Sequence, residues 1–198
     1  MRLILASNSA SRKAMLTDAG VPFAAEASGA DEDAAKAALA EAGTSPRDTA
    51  DALAELKALK VSMRHPADLV LGSDSIVVLD DGTILDKPET RDDAERHLRS
   101  LSGRTHRLIS AAVIAEGARP VWRHVDTAKL QVRALSDEFI QTYLDVEWPA
   151  IAGCVGCFRI EGPGVQLFAR TEGSHFTILG MPLLPVLDFL RVRGILAS

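Results

Sequence analysis

The sequence predicts an α/β protein with a mixed, twisted sheet and flanking helices, and three observations carry that prediction. Segments of strand character alternate with segments of helical spacing along the whole chain. Several strand segments are joined by turns too short for a helical crossover, notably Asp81-Gly82 and the stretch around Gly117. Short turns require antiparallel neighbours, which excludes a purely parallel doubly wound sheet. Finally, the 198 residues suit a single domain, 1–198, or two small lobes around a central cleft.

The elements follow in order. Residues 3–6, Leu-Ile-Leu-Ala, read as a buried strand leading into a helix over 11–19. Gly20 is placed to cap that helix and Pro22 prevents its continuation. A second helix covers the Ala-rich stretch 34–42 and stops at Gly43. Ser45-Pro46-Arg47-Asp48 opens a third, with Ser at the cap, Pro at the first helical position and Asp completing a capping box. Its Leu53, Leu56 and Leu59 fall at helical spacing. Leu69-Val70-Leu71-Gly72 begins a strand that resumes over 76–79, turns at Asp81-Gly82 and returns over 83–85. A helix spans 91–99, and strands follow over 107–115 and 121–132. Ser136 caps a helix through Phe139, Ile140, Tyr143 and Leu144. Strands are expected near 158–160 and over 165–169, before a last helix over 183–192.

Composition narrows the function. A hydrophobic fraction of 47% with 25% charged residues provides for an ordinary core. The formal net charge of -5 argues against a partner that is a nucleic-acid polymer, whose phosphates need Lys and Arg in excess. A small anion needs only a few convergent cations. No apolar run approaches the ~20 residues that span a membrane, and the stretch after Arg2 is too short for a signal peptide. With two Cys, the expectation is a reducing, cytoplasmic compartment.

Five segments carry candidate chemistry. Ser7-Asn8-Ser9-Ala10-Ser11-Arg12-Lys13 joins a strand to a helix N-terminus, where unpaired N–H groups and the helix dipole favour an anion. It is either a phosphate cradle or a plain N-cap with solvated cations, and it lacks the Walker spacing. Asp74, within Gly72-Ser73-Asp74-Ser75, is a lone acid in an apolar strand. Burying it needs a partner, either a metal or catalytic water, or backbone amides at a bulge. Lys87, before Pro88, sits at a fixed edge of the sheet or simply at the surface. His106 ends a helix-to-strand loop, where bonding to backbone is the expected role over acid–base work. Glu161 precedes Gly162-Pro163-Gly164 and faces either a cleft or solvent. Cys154 and Cys157 form a Cys-x-x-Cys without the second ligand pair a zinc site needs, so inert thiols are expected.

In order and spacing, these segments resemble the Maf family of nucleotide pyrophosphatases, relatives in fold of the inosine triphosphate pyrophosphatases. The matching pieces run from Leu3–Ser9 through Arg12-Lys13, Asp31-Glu32, Leu53–Ala58, Gly72–Ser75, Asp86-Lys87-Pro88 and Leu101–His106 to Ile160-Glu161-Gly162 and Leu179–Leu183. The resemblance implies hydrolysis of a nucleoside triphosphate to its monophosphate and pyrophosphate, and a homodimer. It makes Asp74 the general base, and places Ser7, Ser9, Arg12, Lys13, Lys57 and Lys87 around the phosphates. Asp31, Glu32 and Asp74 would hold Mg²⁺ or Mn²⁺. Ser11, Ser75 and Glu161 stand at positions associated with base choice. The Pro and first Arg of the family's Ser-x-Ser-Pro-Arg-Arg are Ala10 and Ser11 here, and its Asp-Lys-Ala-Gly segment is absent. Glu161 stands where the branch acting on dTTP and UTP has Gln, and resembles the branch acting on 7-methyl-GTP, whereas Ser11 and Ser75 match neither branch, so the substrate implied is a 7-methyl-GTP-like nucleotide or dTTP, UTP or CTP. A second reading is a nucleotide-binding or interaction module without turnover, as in septum control.

Overall fold

The computed structural model describes residues 1–197. Seven strands form one sheet: β1 (Leu3–Leu5), β2 (Phe23–Ala25), β3 (Leu69–Leu79), β4 (Ile84–Leu85), β5 (Thr105–Glu116), β6 (Arg119–Val132) and β7 (Phe168–Glu172). Their order is β2-β1-β3-β5-β6-β7, with β4 paired to β3. β1 runs parallel to β2 and β3, whereas β3–β4 and β6–β7 are antiparallel, so the sheet is mixed as the short turns require. The helices are α1 (Ala10–Asp18), α2 (Glu32–Glu41), α3 (Pro46–Ser62), α4 (Arg91–Leu101), α5 (Asp137–Glu147), α6 (His175–Ile178) and α7 (Leu183–Val192).

Local chemistry explains most boundaries. Ser45 Oγ accepts from Asp48 N–H at 3.2 Å and donates to Asp48 Oδ2 at 2.7 Å, fixing the start of α3. Thr90 and Asp93 make the reciprocal capping box of α4. β5 and β6 are joined by Gly117 and Ala118 alone, both at positive φ, the geometry whose twist matches a hairpin.

The strands expected near 158–160 and over 165–169 need correction. Residues 158–160 are not a strand, and 165–169 is only partly one: Pro163–Leu167 is a 3-10 turn and β7 starts at Phe168. Pro163 has no N–H to give a ladder and Cys157 is held at positive φ, so the segment cannot lie extended in a sheet. The edge strand β2 has no buried residue, hence no alternating pattern to reveal it in sequence. In α3 the buried face is Leu53, Ala54, Lys57, Ala58 and Val61, while Leu56 and Leu59 stay half-buried. β3 continues through Gly72 as a single strand, Leu69–Leu79, where the sequence suggested an interruption between 72 and 76.

The chain divides into two compact units. The first comprises Met1–Ser75, Ser110–Asp126 and Gly180–Ser198; within it Ile4, Ala6, Val61 and Val70 form a buried cluster. The second comprises Ile76–Ile109 and Thr127–Leu179. Its core gathers Leu98, Leu101, Leu130, Ile140 and Leu144, each worth roughly 2 kcal/mol as a buried side chain. Among the described residues no helix is long and apolar enough to cross a membrane.

His106 lies in the core of the second unit instead of bonding backbone as expected. It is 1% exposed, its ring lies 6.1 Å from that of Phe158 and 6.2 Å from that of Phe168, and neither ring nitrogen has a partner among the described residues. Burial lowers its pKa to about 4 from an ordinary 6.5. The unfolded chain takes up this proton near pH 6.5 and the folded chain only near pH 4, so stability is full above the window and declines as pH falls through it. At pH 4.5 the decline is about 2.5 kcal/mol relative to pH 7. Urea denaturation of a His106→Leu variant at both pH values is expected to show a smaller acid loss by about that amount. Equal losses in both proteins would mean that the imidazole titrates normally.

Candidate active site

A strand alternates its side chains, and β3 uses both faces at the same point. Gly72 and Asp74 face α3. A β-carbon at Gly72 would lie 2.2 Å from the Ala54 carbonyl oxygen and 2.6 Å from the Ala58 nitrogen, so only glycine lets helix and strand backbones approach this closely. Lys57, within the helix face made by Ala54, Ala58 and Val61, is thereby delivered to Asp74. Its Nζ stands 2.6 Å from Asp74 Oδ1 and 2.9 Å from Glu32 Oε2. Lys57 and Asp74 are 5% and 6% exposed, so the ammonium and the Asp74 carboxylate are held away from water, while Glu32 is half-buried. One cation between two acids leaves a net negative charge. Asp74 Oδ2 is buried with no hydrogen-bond partner among the described residues.

Ser73 and Ser75 face the other way. Ser73 Oγ is 2.8 Å from the Ala111 carbonyl oxygen and 3.1 Å from that of Gly180. Ser75 Oγ lies 2.8 Å from Ser110 Oγ and 3.1 Å from the Gly180 oxygen, and accepts from Arg12 Nη2 at 3.1 Å. Arg12 also donates from Nε to Gly180 at 2.8 Å and from Nη1 to Ser7 Oγ at 3.4 Å. The guanidinium is thus fixed by three elements. Desolvation pushes its pKa down, while the charges of Asp74 and Glu32 push it back up, so it belongs to the same electrostatic cluster.

At the start of α1, Ser9 Oγ accepts from Arg12 N–H at 3.4 Å and Ser7 Oγ accepts from Ser9 N–H at 3.2 Å. These hydroxyls shape the turn, and Ser11 and Lys13 follow half-buried on the first turn of the helix. Asp31 is exposed and caps α2, its Oδ1 accepting from Ala34 N–H at 3.0 Å. The structure therefore joins Glu32 and Asp74 through Lys57, and employs Asp31 at the helix end. Among the described residues no group of three His, Cys, Asp or Glu is placed to hold a metal by itself. The donor chemistry nonetheless suits a hard divalent cation, because Asp74 Oδ2 is an orphaned carboxylate oxygen and the half-buried Glu32 supplies a second carboxylate.

The second unit holds its own cluster. Glu161 is exposed, and it raises the pKa of Cys154, for which burial is the main cause; Arg159 and Lys87 oppose it. Lys87, also exposed, is therefore within electrostatic reach of Cys154. Cys157 is fully buried, 3.4 Å from His97 Nδ1, with a thiol pKa pushed up to about 12 by burial. Both cysteines are free and held in the thiol form, which is the unreactive one.

Sequence reasoning missed Ser110 and the Gly180 carbonyl. Ser110 did leave a trace, as a lone hydroxyl in the apolar run Leu108-Ile109-Ser110-Ala111. A backbone carbonyl leaves none.

The Maf family, described as "Maf-like protein", matches residues 2–193. The chain is 52% identical over 195 residues to a nucleoside triphosphate pyrophosphatase of Sphingopyxis alaskensis, covering 98% of each. It is 51% identical to nucleoside triphosphate pyrophosphatase 1 of Jannaschia sp., covering 99% of this chain and 98% of that one. The solved HAM1 protein of Coxiella burnetii covers 67% of this chain and 73% of its own, at 14% identity and a TM-score of 0.43. Matched nearly end to end by the family and by relatives at half identity, this chain belongs to the Maf family.

Proposed function

We propose that this protein hydrolyses a nucleoside triphosphate to the monophosphate and pyrophosphate. The observation that carries the reading is the orphaned Asp74 Oδ2 beside Lys57 and the fixed guanidinium of Arg12. Asp74 Oδ1 is occupied by Lys57, which leaves Oδ2 as the oxygen able to take a proton from water. The water oxygen attacks the α-phosphorus, the bond to the bridging oxygen of the β-phosphate breaks, and pyrophosphate leaves. Lys57 and Arg12 neutralise phosphate charge as it shifts to the leaving group, and their fixed positions spare reorganisation at that moment. Ser7 and Ser9 hold the N-terminal turn of α1 open to an anion, with Lys13 adding charge. Glu32, with phosphate oxygens and water, would hold Mg²⁺ or Mn²⁺ beside Asp74, which leaves Asp74 Oδ2 to take the proton. Such an ion supplies charge neutralisation and a lowered pKa of bound water.

For the base we propose a guanine type, 7-methyl-GTP among them, chosen by Glu161. A carboxylate can accept from both N1–H and N2–H of guanine, and a base made cationic by N7 methylation strengthens the contact. Uracil offers one donor between two acceptors. The names of the relatives, nucleoside triphosphate pyrophosphatase, support the general reaction and are silent on the base.

The test is incubation with Mg²⁺ or Mn²⁺ and dTTP, UTP, CTP, GTP and 7-methyl-GTP, measuring pyrophosphate and orthophosphate separately. Pyrophosphate from the guanine nucleotides, with a preference that Glu161→Gln erodes by about tenfold, is the expected result. Orthophosphate alone would place cleavage at the γ-phosphate and overturn the mechanism. Binding without any product would favour a module that recognises nucleotides without turnover.

A further inference from the structure

Glu147, the last residue of α5, is 2% exposed and could not remain ionised there without compensation. Arg159 provides it through two parallel bonds, Nε to Oε2 at 2.8 Å and Nη2 to Oε1 at 2.9 Å. A bidentate fork fixes direction as well as distance, and its anchor is a rigid helix end. The backbone of Arg159 is just as constrained. Its carbonyl accepts from Gly162 N–H at 3.1 Å, closing a turn over residues 159–162, and Gly162 in turn accepts from Val165 at 3.1 Å. Gly164 lies directly against the same residue: a β-carbon there would be 2.5 Å from the Arg159 carbonyl oxygen and 2.8 Å from its nitrogen. Glu161 is the third residue of this turn. Its charge acts on Arg159, whose pKa is raised first by the hydrogen bond to Glu147 and then by the charges of Glu147 and Glu161.

We propose that Glu147 and Arg159 are positioning residues that set base selectivity, the fork fixing the turn from which Glu161 projects. This rests on the reading of Glu161 as the group that selects the base. The fork's bonds run between Arg159 and Glu147, so its expected effect is on substrate recognition and not on the chemical step. A long exposed Glu on an unanchored loop would lose rotamer and backbone freedom at each binding event, and the fork removes the backbone part beforehand. Lysine at 159 keeps the charge but cannot make two parallel bonds.

The experiment measures kcat and KM for 7-methyl-GTP and UTP in the whole protein with Mg²⁺, for the wild type, Arg159→Lys, Glu147→Gln, Glu161→Gln and the double variant Arg159→Lys/Glu161→Gln. Thermal melting checks that each is folded, and either single variant of the fork suffices if the other is not. Arg159→Lys is expected to raise KM for 7-methyl-GTP about tenfold, leave kcat within about twofold, and shrink the kcat/KM ratio between the two nucleotides. The double variant should lose no more selectivity than Glu161→Gln alone, because both changes act through one carboxylate. Losses that multiply in the double variant, or a fork variant with unchanged selectivity while Glu161→Gln erodes it, would overturn the positioning role and leave the reading of Glu161 standing. Unchanged selectivity in Glu161→Gln would overturn both.

Discussion

Asp74→Asn is expected to lower kcat about 10³-fold while leaving nucleotide binding within a fewfold, because it removes one proton acceptor and little else. Asn keeps an oxygen for the Lys57 ammonium, and Lys57 retains Glu32 at 2.9 Å, so the helix-to-strand contact survives. The measurement is single-turnover release of pyrophosphate, with affinity read separately by titration of a nucleotide under conditions without turnover. A variant within about tenfold of wild-type kcat would remove Asp74 from the role of base, since a positioned base contributes about 10²–10⁴-fold. Weaker binding with unchanged kcat would instead make Asp74 a substrate- or cation-binding group.

Lys57→Met has the largest expected effect on stability. Lysine is a costly residue to bury, and here it alone separates two carboxylates, with side-chain exposures of 6% for Lys57, 8% for Asp74 and 30% for Glu32. Methionine fills a similar volume against Ala54 and Ala58 but removes the ammonium that both acids contact directly. Removing one partner of a buried pair costs about 3–5 kcal/mol, or roughly 10 °C in Tm for a chain of this size. Adding Asp74→Asn should restore a large part of the loss by removing one of the stranded charges. Calorimetry of the two variants reads both effects. A loss below about 1 kcal/mol in Lys57→Met would mean that Asp74 simply takes up a proton, and that the pair contributes little to folding. Activity should fall at least about 100-fold in the same variant, through loss of a fixed cation at the phosphates.

How much of this was legible beforehand differs between fold and site. Helix ends marked by a polar cap or a glycine were readable, because caps and punctuation are local: α3 begins at Ser45-Pro46, and α1 stops just before Gly20, which lies at positive φ. The stretch 158–169 was misread, since apolar residues near glycines resemble a strand until the ladder partners are known. His106 was misplaced for a similar reason. Its neighbours in sequence are a polar loop, and its neighbours in space are Phe158 and Phe168.

By itself the sequence determined most of the longer helices and strands, the mixed character of the sheet and the presence of a lone acid at Asp74, because each depends on periodicities of two or 3.6 residues or on a single misplaced charge. Only the tertiary structure decided what that acid meets. Gly72 and Asp74 share a strand face by alternation, but the 2.2 Å that a β-carbon at Gly72 would leave to Ala54 is a fact about helix and strand packing. That approach turns Lys57 from one surface-type residue among many into the buried partner of Asp74 and Glu32. The opposite face of the same strand secures Arg12 through Ser75 and the carbonyl of Gly180, which is 168 positions from Arg12 in the chain. Local pattern fixes which way a side chain points along its own element, whereas the partner at the end of it is set by elements folded in from far away in sequence.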